Sequence, residues 1–341
     1  MKYFKKRRKY DSYEPLLKTK RKIYIKKRKQ EEPYSLIIKL IINFILFIMY
    51  LLILRKIKKT SKKKSSKTKV AMCVVAKREN SYLKYFIEFY LKLGYNHIYF
   101  YDHNEIGDEA ITDLDIVKEG VKNSFITVID YKIRKANYQA SSYYDCYDKY
   151  NMLYDWMSFF DVDEYLMLEP KGVTIQEFMD SPRYNDCELV QFNWKIYTDN
   201  DQLDYIDQSP VKRFPIESGY IKENKHVKSI ARGKLDLKKV RKNGNPHSMF
   251  SEIKACSVSG NKTDWKYYIY PPDHKFGWLN HYVTKSVREF FEKKYKMMNK
   301  VDVNNISEGY KRYFFNYFFS VNKKTKEKVD IFNQIYNTSY K

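Results

Sequence analysis

Met157-Ser158-Phe159-Phe160-Asp161-Val162-Asp163-Glu164-Tyr165-Leu166 is an apolar run that ends in two carboxylates spaced Asp-x-Asp. A short aromatic-rich run bounded by polar residues predicts a strand inside a sheet. In open α/β sheets ligands bind beyond the carboxyl ends of the strands, and Asp161 and Asp163 fall there. Alternate residues of an extended segment point the same way, so both carboxylates are expected to converge on one hard divalent cation. Such cations prefer oxygen ligands and commonly bridge to a phosphorylated substrate. Two other Asp-x-Asp copies, Asp113-Leu114-Asp115 and Asp199-Asn200-Asp201, sit in polar surroundings and read as ordinary solvated acids.

Upstream, Val70-Ala71-Met72-Cys73-Val74-Val75-Ala76 reads as a buried strand running into Lys77-Arg78-Glu79-Asn80. Leu83, Phe86, Ile87, Tyr90 and Leu91 recur at helical spacing, with Asn80 or Ser81 to cap the start and Gly94 to close the end. His97-Ile98-Tyr99-Phe100-Tyr101 is a second strand, ending in Asp102-His103-Asn104-Glu105. A helix over Asp108 to Lys118, a third strand over Phe125 to Asp130 and a helix over Gln139 to Trp156 continue the alternation, and the Asp161 strand is the fourth. The tyrosine stripe of the last helix (Tyr143, Tyr147, Tyr150, Tyr154) reads as core packing. Strand, helix, strand with polar strand ends is the signature of a parallel α/β sheet, whose strand-end polar groups gather along one edge. Further on, Gly172 to Phe178 reads as a turn and short helix, and Glu188 to Trp194 and Lys228 to Arg232 as strands. The second of these carries basic residues suited to phosphate, and Asn243 to Ser248 is a loop holding His247. Trp194 is a candidate to stack on a sugar ring, although a buried tryptophan is the commoner outcome.

Several motifs occur in order: Lys77-Arg78-Glu79-Asn80; Leu93-Gly94-Tyr95-Asn96-His97-Ile98-Tyr99-Phe100-Tyr101-Asp102; Gln139 with Tyr144-Asp145-Cys146; Trp156 to Leu166; and Leu279-Asn280-His281-Tyr282-Val283-Thr284-Lys285-Ser286 leading into Val287-Arg288-Glu289-Phe290. Over Lys69 to Lys300 the chain thereby resembles the family-2-like glycosyltransferases of family 92 type. The resemblance implies a GT-A fold, a Rossmann-like mixed sheet flanked by helices, and transfer of a sugar, a hexose first among candidates. The donor would be a nucleotide-sugar and the acceptor a glycan, glycoprotein or glycolipid. It implies that Asp161 and Asp163 hold Mn²⁺ or Mg²⁺ on the diphosphate, with His281 as third ligand. Glu79 and Asp102 would face the nucleoside; Lys77 would meet a phosphate or pair with Glu79. Lys285 precedes a helix start where Ser286 and Glu289 have capping-box spacing, and such a start suits phosphate. No catalytic base announces itself: Glu164, Asp199, Asp201 and Asp264 all remain open, and inversion is not distinguished from retention.

The net charge of +24 points towards nucleic acid until it is located. Residues 1–69 hold 24 Lys+Arg against 4 Asp+Glu, which leaves the remainder only slightly basic. A nucleic-acid binder carries its basic patch on the folded domain, whereas blocks of like charge are usually tails. Residues 1–34 are therefore read as a basic tail and 55–69 as a basic linker, with anionic lipid headgroups rather than nucleic acid as neighbours. Between them residues 35–54, predominantly apolar with Lys39 the one charged residue, have the length of one transmembrane helix. Lysine and arginine flank both ends, so the positive-inside rule does not decide orientation. Three sequons, at Asn261, Asn305 and Asn337, suit a Golgi or ER lumenal domain. The four cysteines lack metal-ligand spacing; their even count permits disulfides without showing them. Residues 70–300 are read as the catalytic domain and 301–341 as a helical extension and tail. The aromatic cluster from Tyr310 to Phe319 is read as core packing ahead of a lipid-lying helix, and the residues after Val321 as a charged tail.

Two rivals come from other classes. A phosphohydrolase would use Asp161 as nucleophile, but such motifs carry Thr or Val where this chain has Tyr165. A membrane-tethered binding protein without catalysis leaves the strand-end acids unexplained.

Overall fold

In the computed structural model the described residues are 68–104, 109–131, 138–219, 222–241, 245, 247, 249–264, 266–298 and 306–341. The expected tail, membrane span and most of the basic linker lie outside them. Among the described residues no helix is long and apolar enough to cross a membrane.

Strand β1 (Val70–Ala76) lies inside the sheet, with six of its seven residues buried. Its alternate side chains enter two apolar layers: Val70, Met72 and Val74 join Phe86 and Tyr90, while Ala71 and Cys73 join Tyr143 and Tyr147. The helices α1 (Asn80–Leu93) and α3 (Tyr138–Tyr150) supply those partners and so cover opposite faces. A strand covered on both sides has no reason to alternate with polar residues, which is why β1 reads as one continuous apolar run. Helix α1 ends at Gly94, whose φ of 102° is left-handed and whose N–H returns to the carbonyls of Tyr90 and Leu91. A side chain there would be strained. Asn80 does not cap α1: it is the first helical residue, and its amide donates to the carbonyls of Glu109 and Ala110 instead.

Parallel pairing sets β2 (His97–Asp102) beside β1 and β3 (Ile126–Asp130) beside β2, so that Ala76, Asp102 and Asp130 end in line. The connecting helix α2 (Asp115–Lys122) begins later than expected, after a 3₁₀ turn at Ile111–Asp113. Helix α3 stops at Tyr150, and Trp156 opens β4 (Trp156–Phe159), parallel to β1 on its other side.

The run through Asp161 is not one strand. The chain turns at Val162 and Asp163, closed by the Glu164 N–H on the Asp161 carbonyl (3.0 Å), and continues as β5 (Glu164–Leu168). Phe160 and Tyr165 are both buried, so apolar content continues across the turn and hides it in the sequence. The second half contributes α4 (Ile175–Met179), β6 (Leu189–Ile196), α5 (Pro210–Arg213), β7 (Val227–Arg232), β8 (Ala255–Ser257), β9 (Lys262–Thr263) and β10 (Gly277–His281). The main sheet order is β3-β2-β1-β4-β7-β6-β10-β5, mixed in direction, with β8 pairing with β6 and β9. Strands β4 and β5, consecutive in sequence, thus have three strands, β7, β6 and β10, between them.

Disulfides Cys73–Cys146 and Cys187–Cys256 tie α3 to β1 and the start of β6 to β8. Helices α6 (Val287–Met298), α7 (Glu308–Val321) and α8 (Lys326–Tyr336) share a core of Phe290, Phe291, Phe315, Phe318 and Phe332. The segment expected as a charged tail is therefore largely a packed helix, with Lys328 buried against Asp199 (2.8 Å) and Asp201 (2.7 Å).

Candidate active site

The two carboxylates of the Asp-x-Asp turn have different partners. Asp161 Oδ1 accepts from the Tyr143 hydroxyl (2.9 Å) and the Gln139 amide, and Oδ2 accepts from Lys228 Nζ (2.7 Å). Lys228 enters from β7, is buried, and also stands 3.6 Å from Glu164. Glu164 accepts from the Asp161 backbone N–H (2.8 Å) and the Trp194 indole N–H (2.7 Å). Burial pushes the Glu164 carboxyl up to about 7, against the pull of Lys228. Burial alone would also raise Asp161, but the touching Lys228 ammonium holds it below its ordinary value.

Asp163 faces the end of β10. Its carboxylate lies 3.6 Å from His281 Nε2, and its carbonyl accepts the Tyr282 N–H (2.9 Å). Burial opposes ionisation of Asp163, yet His281, with Lys293 and Lys285 behind it, holds the carboxyl well below the usual range. The imidazole rests against Trp194 (4.2 Å between centroids), and its buried Nδ1 has no hydrogen-bond partner among the described residues. Asp163, His281 and the neighbouring Asp161 are of the ligand types a divalent cation takes, and it is the Nε2 edge of His281, not its unpartnered Nδ1, that is turned to Asp163. Among the described residues no group of three or more such side chains is already drawn together as a cage; Asp161 is held back by Lys228.

Beside Asp163 a pocket is lined by Thr284, Lys285, Phe290, Lys293 and Lys294. Lys285, at φ +50°, donates to Glu79 (2.9 Å) and lies 3.5 Å over the Tyr82 ring; Lys293 meets the other Glu79 oxygen. Glu79 thus gathers two lysines at the pocket. Only half of the expected capping box forms. The Ser286 N–H donates to Glu289 (3.2 Å), but among the described residues the buried Ser286 hydroxyl has no hydrogen-bond partner, nor has that of Thr284. Glu289 is held by the fully buried Arg213 (3.1 and 2.5 Å) and by the Tyr82 hydroxyl.

At the ends of β1 and β2, Asp102 accepts the backbone N–H groups of Asn104 (2.9 Å) and Ile111 (3.3 Å), so its carboxylate shapes the following loop. Lys77 Nζ lies 5.6 Å over the Tyr138 ring. Of the candidate bases, Asp199 and Asp201 anchor Lys328, Asp264 is exposed beside Lys266 (3.3 Å), and Glu164 is buried in the network above. Trp194 is likewise buried with its N–H spent on Glu164, which removes it as a sugar platform. Sequence reasoning missed Gln139, Tyr143, Arg213 and Lys293. The spacing of Gln139 and Tyr143 at i, i+4 on one helix face was the available signal, and Lys228 was foreshadowed only as a basic residue on a strand.

The model of glycosyltransferase family 92 matches residues 68–330. No curated protein sequence matches the chain. Among solved structures, the apo form of the WbbM bifunctional glycosyltransferase is similar at 10% identity and a TM-score of 0.26, over 38% of this chain and 24% of that one. The chain spans about a quarter of that protein. Residues 1–349 of TarS from S. aureus are similar at 12% identity and a TM-score of 0.31, over 78% of each chain. The family match covers every residue of the Asp-x-Asp turn and the lysine pocket, and on it the chain belongs to glycosyltransferase family 92 and is a glycosyltransferase.

Proposed function

We propose that the chain is a metal-dependent hexosyltransferase of GT-A type, moving a sugar from a nucleotide-sugar donor to an acceptor that is a glycan, glycoprotein or glycolipid. The observation that carries this is the pairing of Asp163 with His281 at 3.6 Å beside Lys285, Lys293 and Lys294. Hard-cation ligands and ammonium groups side by side are what a diphosphate requires. Asp163 and His281 would hold Mn²⁺ or Mg²⁺, with Asp161 as the adjoining ligand; the ion, when bound, polarises the diphosphate oxygens as a Lewis acid. Lys285 and Lys293, fixed by Glu79, offset the charge that grows on the leaving nucleoside diphosphate. Lys77 and Asp102 border the nucleoside side, Asp102 by holding the loop after β2.

The domain is carried on one membrane helix over residues 35–54, with lipid as its neighbour and the catalytic side in a Golgi or ER lumen. Two disulfides among four cysteines support an oxidising compartment. The test is hydrolysis of a panel of nucleotide-sugars with and without Mn²⁺, alongside Mn²⁺ binding followed by electron paramagnetic resonance. One donor should be hydrolysed only with metal, and Asp163→Ala should abolish both hydrolysis and tight Mn²⁺ binding. A folded chain that neither binds nor turns over any donor defeats the reading.

A further inference from the structure

We propose that Tyr267 and Tyr268, whose rings meet at 73° with centroids 4.9 Å apart, form with Tyr270 at the rim an angled platform against which a sugar ring of the carbohydrate acceptor stacks, just outside the candidate active site. The three tyrosines are 43, 38 and 68% exposed, yet the backbone beneath them is pinned. The Val227 N–H donates to the Tyr267 carbonyl (3.2 Å), and the Ile269 N–H to the Lys225 carbonyl (2.8 Å). From β6, the Gln191 amide holds the Lys266 carbonyl (2.6 Å) and the Asn193 amide the Ile269 carbonyl (3.2 Å). A segment tied at four points gains nothing for folding by turning its rings outward. Large side chains held in water on a fixed backbone mark a contact surface.

The position of the platform identifies what it meets. His226 stacks on Tyr267 (5.9 Å, 22° between planes) and lies 5.3 Å from Trp194, which in turn touches His281 and donates to Glu164. On the same strand face as His226, two residues on, is Lys228 in contact with Asp161. This run of ring contacts leaves only His226 and Trp194 between Tyr267 and His281, so a sugar on Tyr267 lies beside the Asp-x-Asp site. The surface chemistry suits a sugar: within 266–271 every exposed large apolar residue is a tyrosine, and Lys225 Nζ lies 5.3 Å over the Tyr268 ring. A pyranose presents an apolar C–H face with a hydroxyl edge, which matches an aromatic ring carrying its own hydroxyl.

Calling this sugar the acceptor rests on the transferase reading; the sugar platform itself does not. The test uses the full chain in a detergent without a sugar headgroup, titrated by saturation-transfer NMR with the methyl glycosides of glucose, galactose, mannose, fucose and N-acetylglucosamine. At least one glycoside should bind, its Kd should rise about tenfold in Tyr267→Ala and in Tyr268→Ala, and the phenylalanine variants should retain binding. Melting temperatures of the variants confirm that they are folded. No binding by the parent, or alanine variants that bind as the parent does, overturns the proposal. So does tyrosine-dependent binding of a soluble short-chain phospholipid with no binding of any glycoside, which makes the occupant lipid. Nucleotide-sugar hydrolysis by the same preparation separates the two readings. Tyrosine-dependent glycoside binding without donor hydrolysis sinks the transferase and leaves the platform; the reverse result leaves the transferase alone.

Discussion

Replacing Lys228 with methionine keeps most of the volume of its stem and removes the ammonium, a change whose cost can be worked from the contacts. Asp161 loses its 2.7 Å partner and Glu164 a cation at 3.6 Å. Removing one member of a buried ion pair costs about 3–5 kcal/mol because the remaining charge is left unpaired. The Asp161 side chain is 30% exposed and retains Tyr143 and Gln139, so its share is screened by solvent. Glu164 is fully buried and takes the larger share unless it protonates. Burial already raises its carboxyl from 4.5 to about 7 while Lys228 pulls the other way; without Lys228 it rises further. A carboxyl raised in the folded state contributes fully below its unfolded value, and stability is lost as pH climbs to the folded value. In the parent that loss ends near pH 7, whereas in the variant it continues. The difference between Lys228→Met and parent should therefore be about 1 kcal/mol at pH 5, growing past pH 7 to about 2 kcal/mol at pH 8. Urea denaturation at both pH values, followed by tryptophan fluorescence, measures it. A difference below about 1 kcal/mol at pH 8, or one that does not grow with pH, refutes the argument that Lys228 neutralises Glu164 and Asp161 together.

Three other outcomes follow from the same contacts. Replacing Cys73 and Cys146 by serine opens a closure of sequence separation 73 and should cost about 4 kcal/mol on loop-entropy grounds, read as a lower melting temperature that added reductant no longer shifts by that amount. Lys328→Met leaves Asp199 and Asp201 without their shared cation and should cost about 3 kcal/mol, with limited proteolysis cutting first in α8. The buried His103, 2.9 Å from the Ser142 hydroxyl, has its imidazole pushed down from 6.5 to about 4 by burial, with Lys77 adding to the effect. Its contribution is complete above pH 6.5 and is lost as pH falls towards 4, so His103→Gln should remove about 2 kcal/mol of the acid destabilisation seen between melting curves at pH 7 and pH 4.5.

What could be read in advance, and what could not, divides by the range over which the physics acts. Strand β1 and the helix after it were legible because burial on both faces and the Gly94 ending are written in adjacent residues. The turn inside Phe160 to Tyr165 was not: both aromatic residues are buried, and apolar content alone cannot tell one strand from two joined by a turn. Helix α8 had its signal in Val329, Phe332 and Tyr336 at helical spacing, masked by the lysines between them. The cysteine pairing had none, since four cysteines allow several connectivities. The buried cations fall furthest from reach. Arg213, Lys228 and Lys328 each look like solvated charges, as most lysines and arginines are, and each is buried only because a carboxylate distant in sequence meets it: Glu289, Asp161 and Asp199. The same rule governs the site. An Asp-x-Asp pair can be spotted locally, but whether its two carboxylates act together depends on what strands β7 and β10 bring to each. Here β7 brings Lys228 to Asp161 and β10 brings His281 to Asp163, so the two aspartates, alike in the sequence, have different partners in the fold.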